Sequence, residues 1–138
     1  MNRTEFINSL YPNSIDKNYL EIGVRNGENF FQLKYRNKIG VDPDYFFSKR
    51  FLFKSCFKFR NWKHKMYRKT SDLFFRDEVQ LIYKNKKIDI AFVDGMHTYE
   101  QSLVDNVNCL KYIREDGYII LHDCKPQSLE SGSPDIPK

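Results

Sequence analysis

The amino-acid sequence of 138 residues predicts a single α/β domain with a mostly parallel sheet of about five strands and flanking helices. Apolar segments of strand length alternate with segments of helical periodicity, which is typical of parallel strands joined by helical crossovers. Two apolar segments, within 19–27 and 88–100, run into glycines and acids. Ligands bind at the carboxyl ends of strands in such sheets, so we expect both segments to face one pocket.

The first third of the chain predicts two helices and two strands in alternation. In order, these are a helix at 4–11, a strand at 18–23, a helix at 28–35 and a strand at 38–42. Thr4 is a suitable N-cap for the first helix, because its hydroxyl can accept a hydrogen bond from the first turn. Gly23 and Gly27 bound a turn after the first strand, and Pro43 ends the second.

The remainder continues the alternation after a segment that is harder to interpret. Residues 45–63 fit neither period well, and we interpret them as a helix followed by a loop. The later elements are a strand at 65–69, a helix at 72–85, a strand at 88–93, a helix at 98–114, a turn at 115–117 and a strand at 118–121. The domain is expected to span 1–125, and the tail at 126–138, rich in Ser, Pro and Gly, to be irregular.

Helical periodicity also predicts which side chains face the core. The expected inward positions are Leu73, Phe74, Val79, Leu81 and Ile82 in the helix at 72–85, and Leu103, Val107, Leu110 and Ile113 in the helix at 98–114.

Positive charge is concentrated in one part of the chain. The net charge is +5, and residues 49–69 carry nine Lys or Arg and no acid. Phe side chains interleave with these cations, and such a stretch could stack bases and neutralise phosphates. We favour a solvated helix or loop whose Phe side chains cover the sheet, so nucleic acid is the alternative partner rather than the expected one. An anionic acceptor could use the same patch.

Compartment and redox state follow from what the sequence lacks. No apolar run approaches the ~20 residues that span a bilayer, and the N-terminus has no signal pattern, so a cytoplasmic location is expected. Cys56, Cys109 and Cys124 are scattered and form no Cys-x-x-Cys pair. We therefore expect reduced structural thiols rather than a zinc or dithiol site.

A glycine pattern after the first strand suggests a nucleoside site. Glu21, Gly23 and Gly27 form Glu-x-Gly-x-x-x-Gly, in which the glycines allow a sharp turn and close approach of a ligand. Asp42 follows about 20 residues later, where an acid can take both hydroxyls of a ribose. Arg25 stands where a dinucleotide fingerprint has its second glycine, so a nucleoside without pyrophosphate fits better. Alternatively, the glycines only form a turn and Asp42 caps a loop.

Ser71 and Asp72 follow the third strand. They could bond the exocyclic amine and ring nitrogens of an adenine, or Ser71 could simply N-cap the next helix.

Acids and imidazoles end the fourth and fifth strands. Asp94 and Asp123 should be neighbours, and two carboxylates with open positions suit Mg²⁺, which could lower the pKa of a bound hydroxyl. Alternatively, His97 or His122 is a general base near its natural pKa. A third interpretation is that the acids cap turns and the histidines bond backbone.

Five motifs follow one another along the chain. They are Tyr-Leu-Glu-Ile-Gly-Val at 19–24, Gly-Val-Asp-Pro at 40–43, Thr-Ser-Asp-Leu-Phe-Phe at 70–75, Phe-Val-Asp-Gly-Met-His-Thr-Tyr-Glu at 92–100 and His-Asp-Cys at 122–124. In this order they resemble those of class I S-adenosylmethionine-dependent methyltransferases, specifically a small bacterial O-methyltransferase-like group. The similarity covers roughly residues 17–126.

The resemblance implies a Rossmann-like fold and roles for particular residues. Glu21, Gly23 and Gly27 would contact the methionine part of the cofactor, Asp42 its ribose, Ser71 and Asp72 its adenine, and Asp94 would join the cofactor site. Catalytic roles would fall to Asp94, His97 and His122, and metal ligation to Asp94, His122 and Asp123.

The function implied is methyl transfer to a hydroxyl of a small molecule or glycan, with Mg²⁺ as a second cofactor in the metal-dependent version. The family has seven strands, with an antiparallel hairpin after the fifth, and we expect that hairpin to be missing here. The strand at 118–121 would then be an exposed apolar edge through which copies could associate. The alternative to an enzyme is a remnant that binds cofactor without catalysis.

Overall fold

The computed structural model describes residues 1–13, 15–48 and 63–123. Its centre is a five-stranded sheet in the order β3-β2-β1-β4-β5, with every neighbouring pair parallel. The strands are β1 (Asn18–Ile22), β2 (Asn37–Val41), β3 (His64–Tyr67), β4 (Ile88–Val93) and β5 (Ile113–Leu121). The predicted Rossmann-like α/β sheet of about five strands is confirmed.

Five helices flank this sheet in the described part of the chain. They are α1 (Arg3–Ser9), α2 (Glu28–Gln32), α3 (Ser71–Asp77), α4 (Val79–Tyr83) and α5 (Tyr99–Tyr112). None of them is long and apolar enough to cross a membrane. Most of the segment predicted as a helix and loop, the basic stretch up to residue 62, and the predicted tail at 126–138 lie outside the described residues.

The first helix begins one residue earlier than expected, and Thr4 is not its cap. Asn2 is the N-cap: its side chain accepts from the N–H of Glu5, whose carboxylate accepts in return from the N–H of Asn2. This reciprocal capping box satisfies two backbone donors, which a cap at Thr4 would not do. The Thr4 hydroxyl instead donates to Asn29 Oδ1 at 2.9 Å and ties α1 to α2.

The single helix predicted at 72–85 is two short helices. Glu78 lies between them with φ −111°, outside the helical range, and its carboxylate accepts from Lys69. The break changes which side chains face the core: Leu73 and Leu81, both predicted inward, are 37% and 80% exposed. The residues of α3 and α4 that are buried are Ser71, Phe74, Phe75, Val79 and Tyr83.

The face of α5 that packs on the protein is also not the predicted one. Its buried residues are Asp105 and Cys109, whereas Leu103, Val107 and Leu110 are 47%, 45% and 58% exposed. Periodicity identified an apolar stripe correctly, but the sheet lies against the neighbouring side of the helix. The apolar stripe adjoins a groove between α5 and β5, lined in part by Leu110, Ile113 and Ile119.

β5 is longer than predicted because it begins directly after α5. Ile113 already pairs with Ile88, and a register shift follows before Tyr118 pairs with Ile90. The residues expected to form a turn at 115–117 therefore lie within the irregular first half of the strand. β5 pairs only with β4, so its other edge carries no strand within the described chain.

The core lies on both faces of the sheet, and β1 and β4 form its centre. All six residues of β4 are buried, as are four of five in β1. One cluster contains Leu20, Phe74, Val79, Ala91 and Cys109, and the other contains Tyr19, Phe30, Leu33, Ile90 and Phe92, among others. Burial on both faces explains why these strands are mostly apolar rather than alternating, with Glu21 and Asp89 as their buried acids.

Candidate active site

The parallel register brings the ends of all five strands to one edge of the sheet. Backbone hydrogen bonds of 2.8–3.1 Å continue the ladder one residue beyond the strands. They run from the N–H of Gly23 to Val41, of Asp94 to Ile22, of His122 to Val93 and of Asp42 to Tyr67. Asp94 therefore lies between the first residues after β1 and β5, and Asp42 lies on the other side of Gly23. The sequence segments predicted to face one pocket do meet at this edge.

The turn after β1 has three left-handed residues, Gly23 (φ +84°), Arg25 (φ +49°) and Gly27 (φ +78°). A Cβ at Gly23 would lie 2.0 Å from the backbone oxygen of Asp94, and a Cβ at Gly27 would meet the ring of Phe31. Both glycines are therefore required by the fold itself. A side chain at position 23 would disrupt the contact between the turn and β4, so its effect would not be restricted to ligand binding.

Asp42 fixes the shape of the same turn. Its Oδ2 accepts from the N–H of Arg25 at 2.7 Å, and its Oδ1 accepts from the N–H of Asp44 at 2.7 Å. The carboxylate is half-buried and keeps lone pairs for further donors. From sequence, Asp42 was predicted either to cap a loop or to bind ribose hydroxyls. The loop contacts are present in the structure, and the remaining lone pairs still allow ribose binding.

Glu21 is buried, with 2% of its surface exposed. Its Oε2 accepts from the Tyr19 hydroxyl at 2.5 Å and from Asn29 Nδ2 at 3.0 Å. Burial raises the pKa of Glu21 to about 7, and the hydrogen bonds from Tyr19 and Asn29 only partly oppose that increase. The same burial, together with the nearby carboxylate, raises the pKa of Tyr19 well above its ordinary value.

Asp94 is the most connected of the predicted catalytic residues. Its Oδ2 accepts from Arg3 Nη1 at 3.0 Å, and its Oδ1 lies 3.0 Å from His122 Nδ1. The same His122 nitrogen lies 3.3 Å from Asp123 Oδ1, and the imidazole packs edge-on against Phe92. The two oxygens of Asp94 thus face two different groups, a guanidinium and an imidazole.

His97 also reaches this group of residues. One ligand atom each from Asp94, His97 and Asp123 lies within 4.8 Å of the other two. His97 and Asp123 are exposed, and Asp94 is half-buried. The predicted metal ligands were Asp94, His122 and Asp123, and the predicted catalytic residues were Asp94, His97 and His122. The structure brings all four side chains to the same edge.

Ser71 and Asp72 lie beside α5 and begin α3. Thr70 is the N-cap of α3, so the alternative in which Ser71 caps the helix is wrong. Gln101 Nε2 approaches three acceptors at 3.2–3.3 Å: Ser71 Oγ, Asp72 Oδ1 and Asp105 Oδ1. Burial raises the pKa of Asp105. This corner is therefore organised by α5, for which no role in the site was predicted.

Sequence reasoning missed Arg3, Asn29 and Gln101. Arg3 and Asp94 are 91 residues apart, and Gln101 and Ser71 are 30 apart. No sequence motif links such distant positions, and no local pattern marks Arg3 or Gln101 as part of a site. The only local signal for Asn29 was its position in the helix that follows the glycine turn.

A family model described as a methyltransferase domain matches residues 20–124, which include every predicted site residue. No curated protein matches the chain.

The buried Glu21 carboxyl should make stability depend on pH. A carboxyl in the unfolded chain titrates near ~4.3, so between that value and about 7 the folded chain keeps a proton that the unfolded chain releases. Stability contributed by the protonated acid is complete below this window and is lost as pH rises through it, by up to about 3 kcal/mol. Glu21→Gln should remove that loss and can keep the acceptor for Tyr19 and Asn29.

Urea unfolding of wild type and variant at about pH 4.5 and about pH 8 tests this expectation. Between the lower and the higher pH, the free energy of unfolding of the variant should rise by roughly 3 kcal/mol relative to that of wild type. Glu28→Gln, on the exposed side of α2, is the control and should show no such change. If the difference in free energy of unfolding between wild type and Glu21→Gln does not vary with pH, the raised pKa of Glu21 is wrong.

Proposed function

The chain belongs to the methyltransferase domain family, and on that premise we propose that it binds S-adenosylmethionine and transfers the methyl group to a hydroxyl of a small molecule or glycan. The observation that carries the proposal is the edge where β1, β2 and β4 end together. A left-handed turn, the Asp42 carboxylate and the Asp94 carboxylate lie side by side there. This is the edge at which α/β sheets bind nucleoside ligands.

The residues present fit the cofactor in charge and in shape. Asp42 offers a carboxylate for ribose hydroxyls, and the tight turn at Gly23 and Gly27 lets backbone approach a ligand. Ser71 and Asp72 stand at the end of β3, on the side suited to the adenine. S-adenosylmethionine supplies an electrophilic methyl group on a sulfonium. The protein's task is to hold donor and acceptor in line and to manage the acceptor's proton.

The site is consistent with two ways of removing the proton from the acceptor hydroxyl. Two carboxylates and one imidazole within 4.8 Å are a donor set that suits a divalent cation, which would lower the pKa of a bound hydroxyl. Alternatively, His122 or His97 accepts the proton directly, with Asp94 Oδ1 lying 3.0 Å from His122 Nδ1. Of the two, we favour the cation, with Mg²⁺ as the expected ion, because one atom each of the Asp94 and Asp123 carboxylates and the His97 imidazole lie within 4.8 Å of one another.

Cofactor binding should depend on Asp42. Asp42→Asn removes the charge that would bond two ribose hydroxyls but keeps one oxygen for the turn. A charge-assisted hydrogen bond is worth roughly 1.5–3 kcal/mol, so affinity for S-adenosylhomocysteine should fall at least tenfold in titration calorimetry. Asp44→Asn, two residues away and fully exposed, is the control. Absence of any heat of binding with wild type would overturn the cofactor proposal.

Divalent-cation binding should depend on Asp123. Titration with Mn²⁺, followed by the loss of its free electron paramagnetic resonance signal, measures binding without requiring the acceptor. Asp123→Asn should weaken that binding, whereas Asp116→Asn, an exposed acid paired with Arg114, should leave it unchanged. Equal binding by both variants and wild type, or none by any, would exclude the metal version and leave the histidine base.

We further propose that two copies associate through β5 and the apolar stripe of α5. Leu110 lines one groove with Ile113 and Ile119 of β5, and Val107 and Leu110 are half-exposed. Within the described residues β5 pairs with no strand other than β4, so this side of the domain offers a strand edge beside apolar side chains. In sedimentation velocity, wild type should shift to a dimer with concentration, and Leu110→Glu should remain at 16.6 kDa. Leu81→Glu, on the exposed side of α4, should behave as wild type. A wild-type monomer at the highest attainable concentration would contradict the proposal.

A further inference from the structure

The amino-acid end of S-adenosylmethionine carries an α-carboxylate as well as an α-ammonium. The site described above is rich in acids, including Glu21, Asp42, Asp94 and Asp123. Such a site attracts the sulfonium and the ammonium but repels the carboxylate. A binding site for the whole zwitterion therefore needs a cation beside one of its anions.

Arg3 is a cation in that position. Its Nη1 donates to Asp94 Oδ2 at 3.0 Å, and its charge also lowers the pKa of Glu21, so it lies within electrostatic range of the ends of both β4 and β1. The Arg3 side chain is 41% exposed and that of Asp94 is 16% exposed. A guanidinium has five N–H donors, so one bond to Asp94 leaves most of them for a ligand.

The backbone around Arg3 is fixed by several contacts. The capping box of Asn2 and Glu5 closes the first turn of α1, and Thr4 is bonded to Asn29 beside Glu21. Ile7 is fully buried, and its carbonyl accepts from the Tyr35 hydroxyl at 2.6 Å. Because the backbone at this end of α1 is already ordered, ligand binding there would cost little conformational entropy.

Other arginines near the described strand ends are less suitable. Arg68 donates to the Tyr45 carbonyl, pairs with Asp44 and covers the Tyr45 ring, at the side of β3. Arg25 lies in the turn, where its N–H is bound to Asp42 on the side of β2. Arg3 is the one that contacts a carboxylate at the end of β4.

We propose that Arg3 binds the α-carboxylate of the amino-acid part of S-adenosylmethionine while Asp94 Oδ2 accepts from its α-ammonium. An α-amino acid presents opposite charges on neighbouring groups, and the Arg3–Asp94 pair presents the opposite charges in return. The inference rests on the proposed function, because it assigns the ligand of the same site. Asp94 Oδ1, which faces His122, stays available for the proton or the cation.

Two probes separate this inference from general cofactor binding. S-adenosylhomocysteine carries the amino-acid part, whereas 5′-methylthioadenosine keeps the adenosine and the thioether but lacks it. In titration calorimetry, Arg3→Met should weaken S-adenosylhomocysteine about tenfold or more and change 5′-methylthioadenosine less than twofold. Arg3→Lys should give an intermediate loss, because the charge remains but the paired donors do not. Arg76→Met, at an exposed arginine of α3 that pairs with Asp77, is the control and should leave the ratio of the two affinities unchanged.

A third ligand tests the same contact without any variant. The analogue of S-adenosylhomocysteine that lacks only the carboxylate should bind wild type about tenfold or more weakly than S-adenosylhomocysteine does. This comparison uses wild-type protein alone, so it does not depend on how well Arg3→Met folds. Should wild type bind neither S-adenosylhomocysteine nor 5′-methylthioadenosine, the proposed function fails and this inference with it. Should wild type bind both, and Arg3→Met weaken both equally or neither, the cofactor proposal stands and the role of Arg3 is wrong.

Discussion

The close approach of the β1 turn to the end of β4 is the contact on which the site depends. Position 23 has φ +84°, and a Cβ there would lie 2.0 Å from the Asp94 oxygen, so only a glycine allows β1 and β4 to end side by side. The hydrogen bonds from Gly23 to Val41 and from Asp94 to Ile22 then set the register across three strands. Asp42, Asp94 and His122 become neighbours because of that register, although 80 residues separate the first from the last.

The charges at this edge are balanced by burial as well as by pairing. Glu21 is removed from water and bonded to Tyr19 and Asn29, and its pKa of about 7 means that it carries only part of a charge near neutrality. Asp94, in contrast, is paired with Arg3. A site that kept both acids fully charged would repel any ligand carboxylate more strongly. Burying one acid and pairing the other therefore leaves this edge suited to a ligand that carries both signs of charge.

The strands were predictable from sequence because β1 and β4 are buried on both faces and are mostly apolar, each with a single acid. Helix faces were less predictable. The stripe of Leu103, Val107 and Leu110 is apolar at helical spacing, but periodicity does not say which side the sheet occupies, and Asp105 and Cys109 face it instead. The residues at strand ends were found because topology brings strand ends together, whereas Arg3 and Gln101 reach the site through tertiary contacts that no local pattern encodes.

Arg3 lies outside the part of the chain that matches the methyltransferase domain, so on our proposal two parts of the chain share ligand recognition. The match to the methyltransferase domain begins at residue 20, so α1 lies outside it, yet α1 supplies the guanidinium that contacts Asp94. The strand-end acids inside the matched region suit features that every S-adenosyl ligand shares, namely ribose and adenine. A contact to the amino-acid end from outside that region would add selectivity for the intact ligand over nucleoside fragments. On this view α1 is part of the binding site and not only a cover for the sheet, because Thr4 and Ile7 hold it where Arg3 can act.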